Sequence, residues 1–150
     1  MINLTNFKIL SNLYICPTPI GNLQDISTRV LDTLETVDVI YCEDTRRARK
    51  LVENFSITTP LKSYFVGNEK IKIAEIEKTL TDGKNVALIS DAGTPLISDP
   101  GNDLIRHLII NNFNIISIPG PSSVLTALTL SGFELSEFQF LGFVPKVSKE

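Results

Sequence analysis

Histidine and cysteine are scarce in this chain of 150 residues: His107 is the single histidine, and Cys16 and Cys42 are the only cysteines. A zinc centre or a Cys-His nucleophile pair has little to build from, and no metal is expected. No apolar run approaches the roughly 20 residues of a bilayer span, so no membrane partner is expected. None of the eight glycines lies two positions from another, which excludes a Gly-x-Gly-x-x-Gly dinucleotide fingerprint. Gly83-Lys84 is followed by Asn85 and precedes an apolar run instead of following one, so it is not a phosphate-binding P-loop. The first ten residues, MINLTNFKIL, carry one lysine and no small-residue cleavage site, and they do not read as a signal peptide. Cys16 and Cys42 each close an apolar run and are expected to be reduced, buried thiols in a cytoplasmic protein.

What is present is a globular composition, 43% apolar and 21% charged, enough for one ordinary domain with a real core. Apolar runs at Leu13–Cys16, Val37–Cys42, Val86–Ile89 and Ile115–Ile118 read as buried strands, with another between Ile57 and Phe65. Helical stripes separate them: Ile26, Val30, Leu31 and Leu34; then Ile73, Ile76 and Leu80; then Leu104, Ile105, Leu108 and Ile109. Strand and helix alternating in this way predict an α/β fold with a mainly parallel, doubly wound sheet. After Ser131-Gly132, residues Phe138, Phe140, Leu141, Phe143 and Val144 predict an aromatic strand, either joining that sheet or starting a second domain.

Function is expected at the carboxyl ends of the strands, where parallel α/β sheets bind ligands. The most informative stretch is Val86–Gly101, VALISDAGTPLISDPG, a strand that runs into a loop of small, turn-forming and acidic residues. Ser90, Asp91, Ala92, Gly93 and Thr94 carry little bulk, so their backbone can approach a ligand closely, with Gly93 as the pivot. Asp99-Pro100 suits an N-cap and first helical position. Three more loops follow strands: CPTPIGNL after the first, EDTRR after the second, and IPGPSS after the last, where Ser122 or Ser123 can cap a helix. Four such loops point to one ligand pocket. His107, between Arg106 and Leu108 on a helix, is expected to be a surface or partly packed side chain.

The elements PTPIGNLQDIS, CEDTRR, ALISDAGTPLISDPG, IPGPSS and FLGFVP, in this order between Leu13 and Lys149, closely resemble the ribosomal RNA small subunit methyltransferase I family, a branch of the tetrapyrrole methylase superfamily. The resemblance implies methyl transfer from S-adenosylmethionine to the ribose 2′-hydroxyl of a cytidine in the decoding region of 16S rRNA, on the small ribosomal subunit. It also implies two α/β domains, the cofactor in the cleft between them, and a homodimer. Residues 1–121 would be the N-terminal domain, and 122–150 a connecting helix and the first strand of a second, truncated domain. Members of the family are about twice as long, so the chain is expected to be a fragment.

By position, the resemblance places Ser90, Asp91, Ala92, Gly93 and Thr94 on the cofactor, with Thr18, Pro19 and Ile20 in the same cleft and Pro119, Gly120 and Pro121 at its flank. Asn22, Glu43, Asp44, Thr45 and Arg46 would face the RNA or shape the reaction centre. One departure stands out. Phe65 and Gly67 occupy positions before Asn68-Glu69 where the family has histidines.

Transfer from an activated sulfonium requires an aligned hydroxyl and a route for its proton. Glu43, Asp44 and Glu69 are candidate bases, or else cap and surface carboxylates. The net charge of −3 offers RNA no global attraction, but Arg46, Arg47, Arg49 and Lys50 place four cations in five positions. That cluster is either a solvated helix face or a phosphate contact, and Lys146 and Lys149 could extend it. Two alternatives stay open: a superfamily enzyme methylating a tetrapyrrole or another small substrate, and an isolated domain that only binds or dimerises.

Overall fold

A strand covered on both faces needs no polar alternation, and Val39–Cys42 and Val86–Ile89 have none: every residue of both is buried. In the computed structural model, which describes residues 11–144, they lie inside a five-stranded sheet. The strands are β1 (Asn12–Cys16), β2 (Val39–Cys42), β3 (Leu61–Ser63), β4 (Val86–Ile89) and β5 (Asn114–Ser117). Their spatial order is β3-β2-β4-β1-β5 and every pair is parallel, as the doubly wound reading predicts. The register sets Leu13 beside Val86 and Ile15 beside Leu88.

Each face of the sheet has its own helices and its own core. Helices α1 (Thr28–Thr36) and α2 (Thr45–Asn54) supply Val30, Leu34, Ala48 and Val52, which pack with Cys16, Ile40, Ala87 and Ile89. Helices α3 (Glu69–Thr81) and α4 (Asn102–Ile110) supply Ile76, Leu80, Leu104 and Leu108, packed with Leu13, Ile15, Tyr41 and Leu88. Of the three predicted stripes, Val30, Leu34, Ile76, Leu80, Leu104 and Leu108 are buried and Ile26, Leu31, Ile73 and Ile105 pack partly buried against the two cores, but Ile109 is exposed because α4 turns that side to solvent. Both cysteines are free and buried, and burial raises each thiol to about 12, so neither supplies a thiolate.

The connections position the site. From β1 the chain passes to α1 on one face, and from the adjacent β4 it passes to α4 on the other. The crevice at their carboxyl ends is therefore a topological switch point.

Two local expectations are corrected. Helix α4 does not start at Asp99-Pro100: its cap is Gly101, at φ +129°, and it begins at Asn102. A Cβ on Gly101 would stand 2.6 Å from Leu96 Cδ2, so the loop's tight fold sets the start of the helix. Leu96 and Ser98 also adopt positive φ, which costs energy for residues with a Cβ and marks this loop as held in place by its surroundings. The aromatic strand at 138–144 does not form either. No described strand lies alongside it to take its backbone hydrogen bonds, and Phe138, Leu141 and Phe143 are exposed. Helix α5 (Ser123–Leu130) precedes it, capped by Ser122 as expected, with the hydroxyl accepting from Leu125 N at 3.3 Å. Lys146 and Lys149 lie outside the described residues.

Candidate functional site

The loops after β1 and β4 are joined by a backbone bridge: Thr18 N donates to Gly93 O and Gly93 N to Thr18 O, both at 2.9 Å. Buried hydroxyls secure it. Thr18 Oγ1 donates to Ser90 O at 3.0 Å, and Ser90 Oγ donates to Gly93 O at 2.9 Å. Thr94 Oγ1 reaches the loop after β5, donating to Pro121 O at 3.1 Å. Small residues at this loop thus serve two ends. They let two loops touch, and they leave room beside the contact.

A cleft opens on each side of the bridge. The first, about 280 Å³, lies between α2 and the loop after β1, with Pro19, Leu23, Leu51 and Asn54 among its lining. Arg47, Lys50 and Asp91 line it as well, and Arg47 Nη1 stands 3.1 Å from Asp91 Oδ2. The second cleft, about 350 Å³, is lined by Ile20, Ala92, Gly93, Thr94, Pro119 and Gly120, with the start of α5 closing it, and among the described residues no charged side chain lines it. Its walls depend on missing side chains. Gly93 sits at φ +83°, and a Cβ there would stand 3.2 Å from Ile20 Cδ1; a Cβ on Gly120 would stand 2.6 Å from Pro17 Cβ.

Glu43 and Asp99 form an acidic rim, lining a small recess at the end of β4 with Tyr64, Ser90 and Pro100. Burial and the neighbouring Asp91 and Asp99 push the Glu43 carboxyl above its ordinary value. Burial, then Asp91, does the same to Asp99, which answers its expected capping role: the carboxyl faces its acidic neighbours and leaves α4 to Gly101. Asp44 behaves oppositely. It caps α2, accepting from Arg46 N at 2.8 Å, and the Arg46 guanidinium grips it at 3.1 and 2.8 Å, holding its carboxyl well below the usual range. Glu69 occupies the first turn of α3, a favourable place for an anion. His107 is partly packed against Glu77, 2.9 Å from its carboxylate.

A family model for tetrapyrrole (corrin/porphyrin) methylases matches residues 12–147. The chain belongs to that family. Among curated proteins, it is 47% identical to ribosomal RNA small subunit methyltransferase I of Vibrio cholerae, over 91% of this chain and 48% of that protein. The Bacillus subtilis protein of the same name is 44% identical, over 92% and 47%, and that of Thermotoga maritima 45%, over 91% and 62%. The chain thus spans about half the length of the first two. Solved structures show the same fold. Diphthine synthase aligns with a TM-score of 0.68 at 18% identity, over 86% of this chain and 52% of that one. Cobalt precorrin-4 methyltransferase aligns at 0.67 and 19%, over 90% and 56%.

Within this tetrapyrrole methylase domain the expected cofactor residues divide. Ile20, Ala92, Gly93, Thr94, Pro119 and Gly120 meet at the second cleft, whereas Thr18, Pro19, Ser90 and Asp91 border the first. Both backbone groups of Gly93 are engaged by Thr18, so its contribution to a ligand is space rather than a donor. The basic cluster divides too. Arg47 and Lys50 line the first cleft, Arg46 is bound to Asp44, and Arg49 points elsewhere on α2. Leu51 and Asn54 were not singled out from sequence. The signal was available, since 47, 50, 51 and 54 follow helical i, i+3, i+4, i+7 spacing.

Proposed function

We propose that this chain carries the methyl-donor site of an S-adenosylmethionine-dependent rRNA methyltransferase, acting on the ribose 2′-hydroxyl of a cytidine in the decoding region of 16S rRNA. The observation that carries the reading is the second cleft: a switch-point cradle walled by Gly93 and Gly120, where a Cβ would meet neighbours at 3.2 and 2.6 Å. The names of the relatives support the rRNA substrate. The fit is a matter of space and polarity. Thr94, Pro119 and Ser122 would hold the donor, with Ala92 and Gly93 leaving room for its backbone-close approach.

When bound, S-adenosylmethionine supplies a methyl group already activated on sulfonium. The chain's residues must then fix the acceptor oxygen and take its proton. Of the three carboxylates considered, Glu43 is the one suited to that task. Its raised proton affinity brings it nearer the working pH, whereas Asp44 is committed to Arg46 and the α2 cap and Glu69 to the first turn of α3. In this reading residues 122–150 open the second domain, and the complete protein works as a cytoplasmic homodimer on the small subunit.

The test is calorimetric titration of S-adenosylmethionine into this chain and into a Gly93→Leu variant. Saturable binding that the variant loses supports the reading. Equal binding by both folded proteins would remove the second cleft as the donor site.

A further inference from the structure

An aspartate before a proline is well placed to cap a helix, yet Asp99 caps nothing: the cap of α4 is Gly101, and no side chain bonds there. Among the described residues the Asp99 carboxyl makes no hydrogen bond and no ion pair. The backbone just before it is strained, with Leu96 at φ +74° and Ser98 at φ +67°, strain of the kind that folds retain where a side chain is held for function. Asp99 lines the recess at the end of β4 together with Glu43, which directly follows β2, and Tyr64, which directly follows β3. The recess holds about 10 Å³, room for a single water molecule and not for a hydrated cation that would screen the carboxylates. Tyr64 is 1% exposed and its hydroxyl has no hydrogen-bond partner among the described residues, so a residue of the recess wall carries an unused donor.

Glu43 makes no ion pair among the described residues either, and it is exposed, so an acceptor can reach it. Burial comes first in raising its carboxyl, followed by Asp91 and Asp99 from the loop after β4; Arg47 opposes them and Asp44 adds to them. Burial and then Asp91 raise Asp99. Burial, then Glu69 and Asp103 at the starts of α3 and α4, push Tyr64 up to about 12, so it stays a neutral donor. Two carboxylates set in one confined space do not ionise independently: the second proton leaves against the charge exposed by the first. We propose that Glu43 and Asp99 work as one acid–base pair, in which Asp99 is the positioning residue that keeps Glu43 ready to take the proton of the acceptor hydroxyl. Asp91 acts on Glu43 too, but Arg47 partners it at 3.1 Å and it does not line the recess. The pairing deepens the methyl-transfer reading, on which its purpose rests. As the acceptor oxygen gains its bond to the methyl carbon and the sulfur–carbon bond breaks with its electron pair left on sulfur, the hydroxyl proton passes to Glu43 and then to solvent.

The test is a pH titration of the side-chain carboxyl carbons of Glu43 and Asp99 in the isotope-labelled chain, read by nuclear magnetic resonance with neither donor nor RNA present. Asp99 is expected to ionise first and Glu43 at higher pH, each ionisation showing as a second inflection in the other's curve, and this readout needs no variant. Asp99→Asn, which keeps the size of the side chain, should lower the Glu43 midpoint, and Asp99→Glu should return it toward the parent's. Asp103→Asn, on α4 where Asp103 faces Arg106 at 3.6 Å, should leave Glu43 unmoved. Single-step curves in the parent, a Glu43 midpoint that the folded Asp99→Asn chain shares with the parent, or an equal shift in Asp103→Asn would overturn the proposal. Paired curves in a chain that does not bind S-adenosylmethionine would sink the donor assignment and leave the pair standing. An unmoved Glu43 in a chain that binds S-adenosylmethionine would sink the pair and leave the donor assignment, so the two failures are told apart.

Discussion

The two clefts share the Thr18–Gly93 bridge as a wall and differ in charge: Arg47, Lys50 and Asp91 face the first, and among the described residues no charged side chain faces the second. The difference sets an uncharged cradle beside a charged face on one sheet edge. Close approach and a molecule held by its shape need small residues, which the loops after β4 and β5 supply. Attraction of a polyanion needs side chains that project, and a helix such as α2 supplies those at 3.6-residue spacing. The sharpest way to break this comparison is to fill one cleft at a time. Ala92→Trp should reduce S-adenosylmethionine affinity at least about a hundredfold, roughly 3 kcal/mol, with the first cleft unaffected, as read by calorimetry. Asn54→Trp, which fills the first cleft, should leave that affinity unchanged. Loss of S-adenosylmethionine binding in both variants would mean that the clefts are one site.

The second prediction concerns what the bridge region rests on. Gly120→Ala puts a methyl 2.6 Å from Pro17 Cβ, and neither partner is the free end of a flexible chain. Overpacking of this kind costs roughly 1–3 kcal/mol, measurable by chemical denaturation, and it should weaken S-adenosylmethionine as the loop after β5 is pushed from the loop after β1. An unchanged midpoint would show that the two loops separate freely and that the second cleft is not a fixed cradle. A third, smaller effect belongs to the charged cleft. Lys50→Gln should lower the salt dependence of rRNA binding by about one phosphate contact, while Arg106→Gln, on α4 and partnered with Asp103 at 3.6 Å, should leave the slope unchanged.

The sheet was legible in the sequence because burial on both faces removes polar alternation, and Val86–Ile89 and Val39–Cys42 show that directly. The four loops stand out in the sequence for the same reason: each follows such a run. Two features were not. Local capping preference points to Asp99-Pro100 for the start of α4, but the folded loop gives the cap to Gly101, at φ +129° and with no room for a Cβ beside Leu96. The strand over 138–144 was read from aromatic content, yet a strand also needs a neighbour, and local composition does not provide one. The division of the expected cofactor residues between two clefts is equally out of the sequence's reach, since the Thr18–Gly93 bridge joins positions far apart in the chain.

The contrast between rim and body has its own test in the pH dependence of stability. Glu75 on α3 lies away from both clefts, with Lys62 and Lys72 ammonium groups at 2.5 and 2.6 Å, and their hydrogen bonds lower its carboxyl from 4.5 to about 2. A depressed carboxyl stabilises the fold at pH above its ordinary value, and that contribution is lost as pH falls from there toward 2. Glu75→Gln should therefore cost about 1 kcal/mol at neutral pH after allowance for solvent screening, and the difference from the parent should fade in acid. Glu43 has the opposite sign. Burial, Asp91 and Asp99 raise it, so its charged form opposes folding above the raised value, and the penalty disappears as pH falls below the ordinary carboxylate range. Glu43→Gln should slightly stabilise the chain at neutral pH and leave it unchanged in acid, in denaturant melts run across that interval. Destabilisation at neutral pH instead would show that Glu43 is held by a favourable partner, as Glu75 is, and would remove the basis for assigning it the proton of the acceptor hydroxyl.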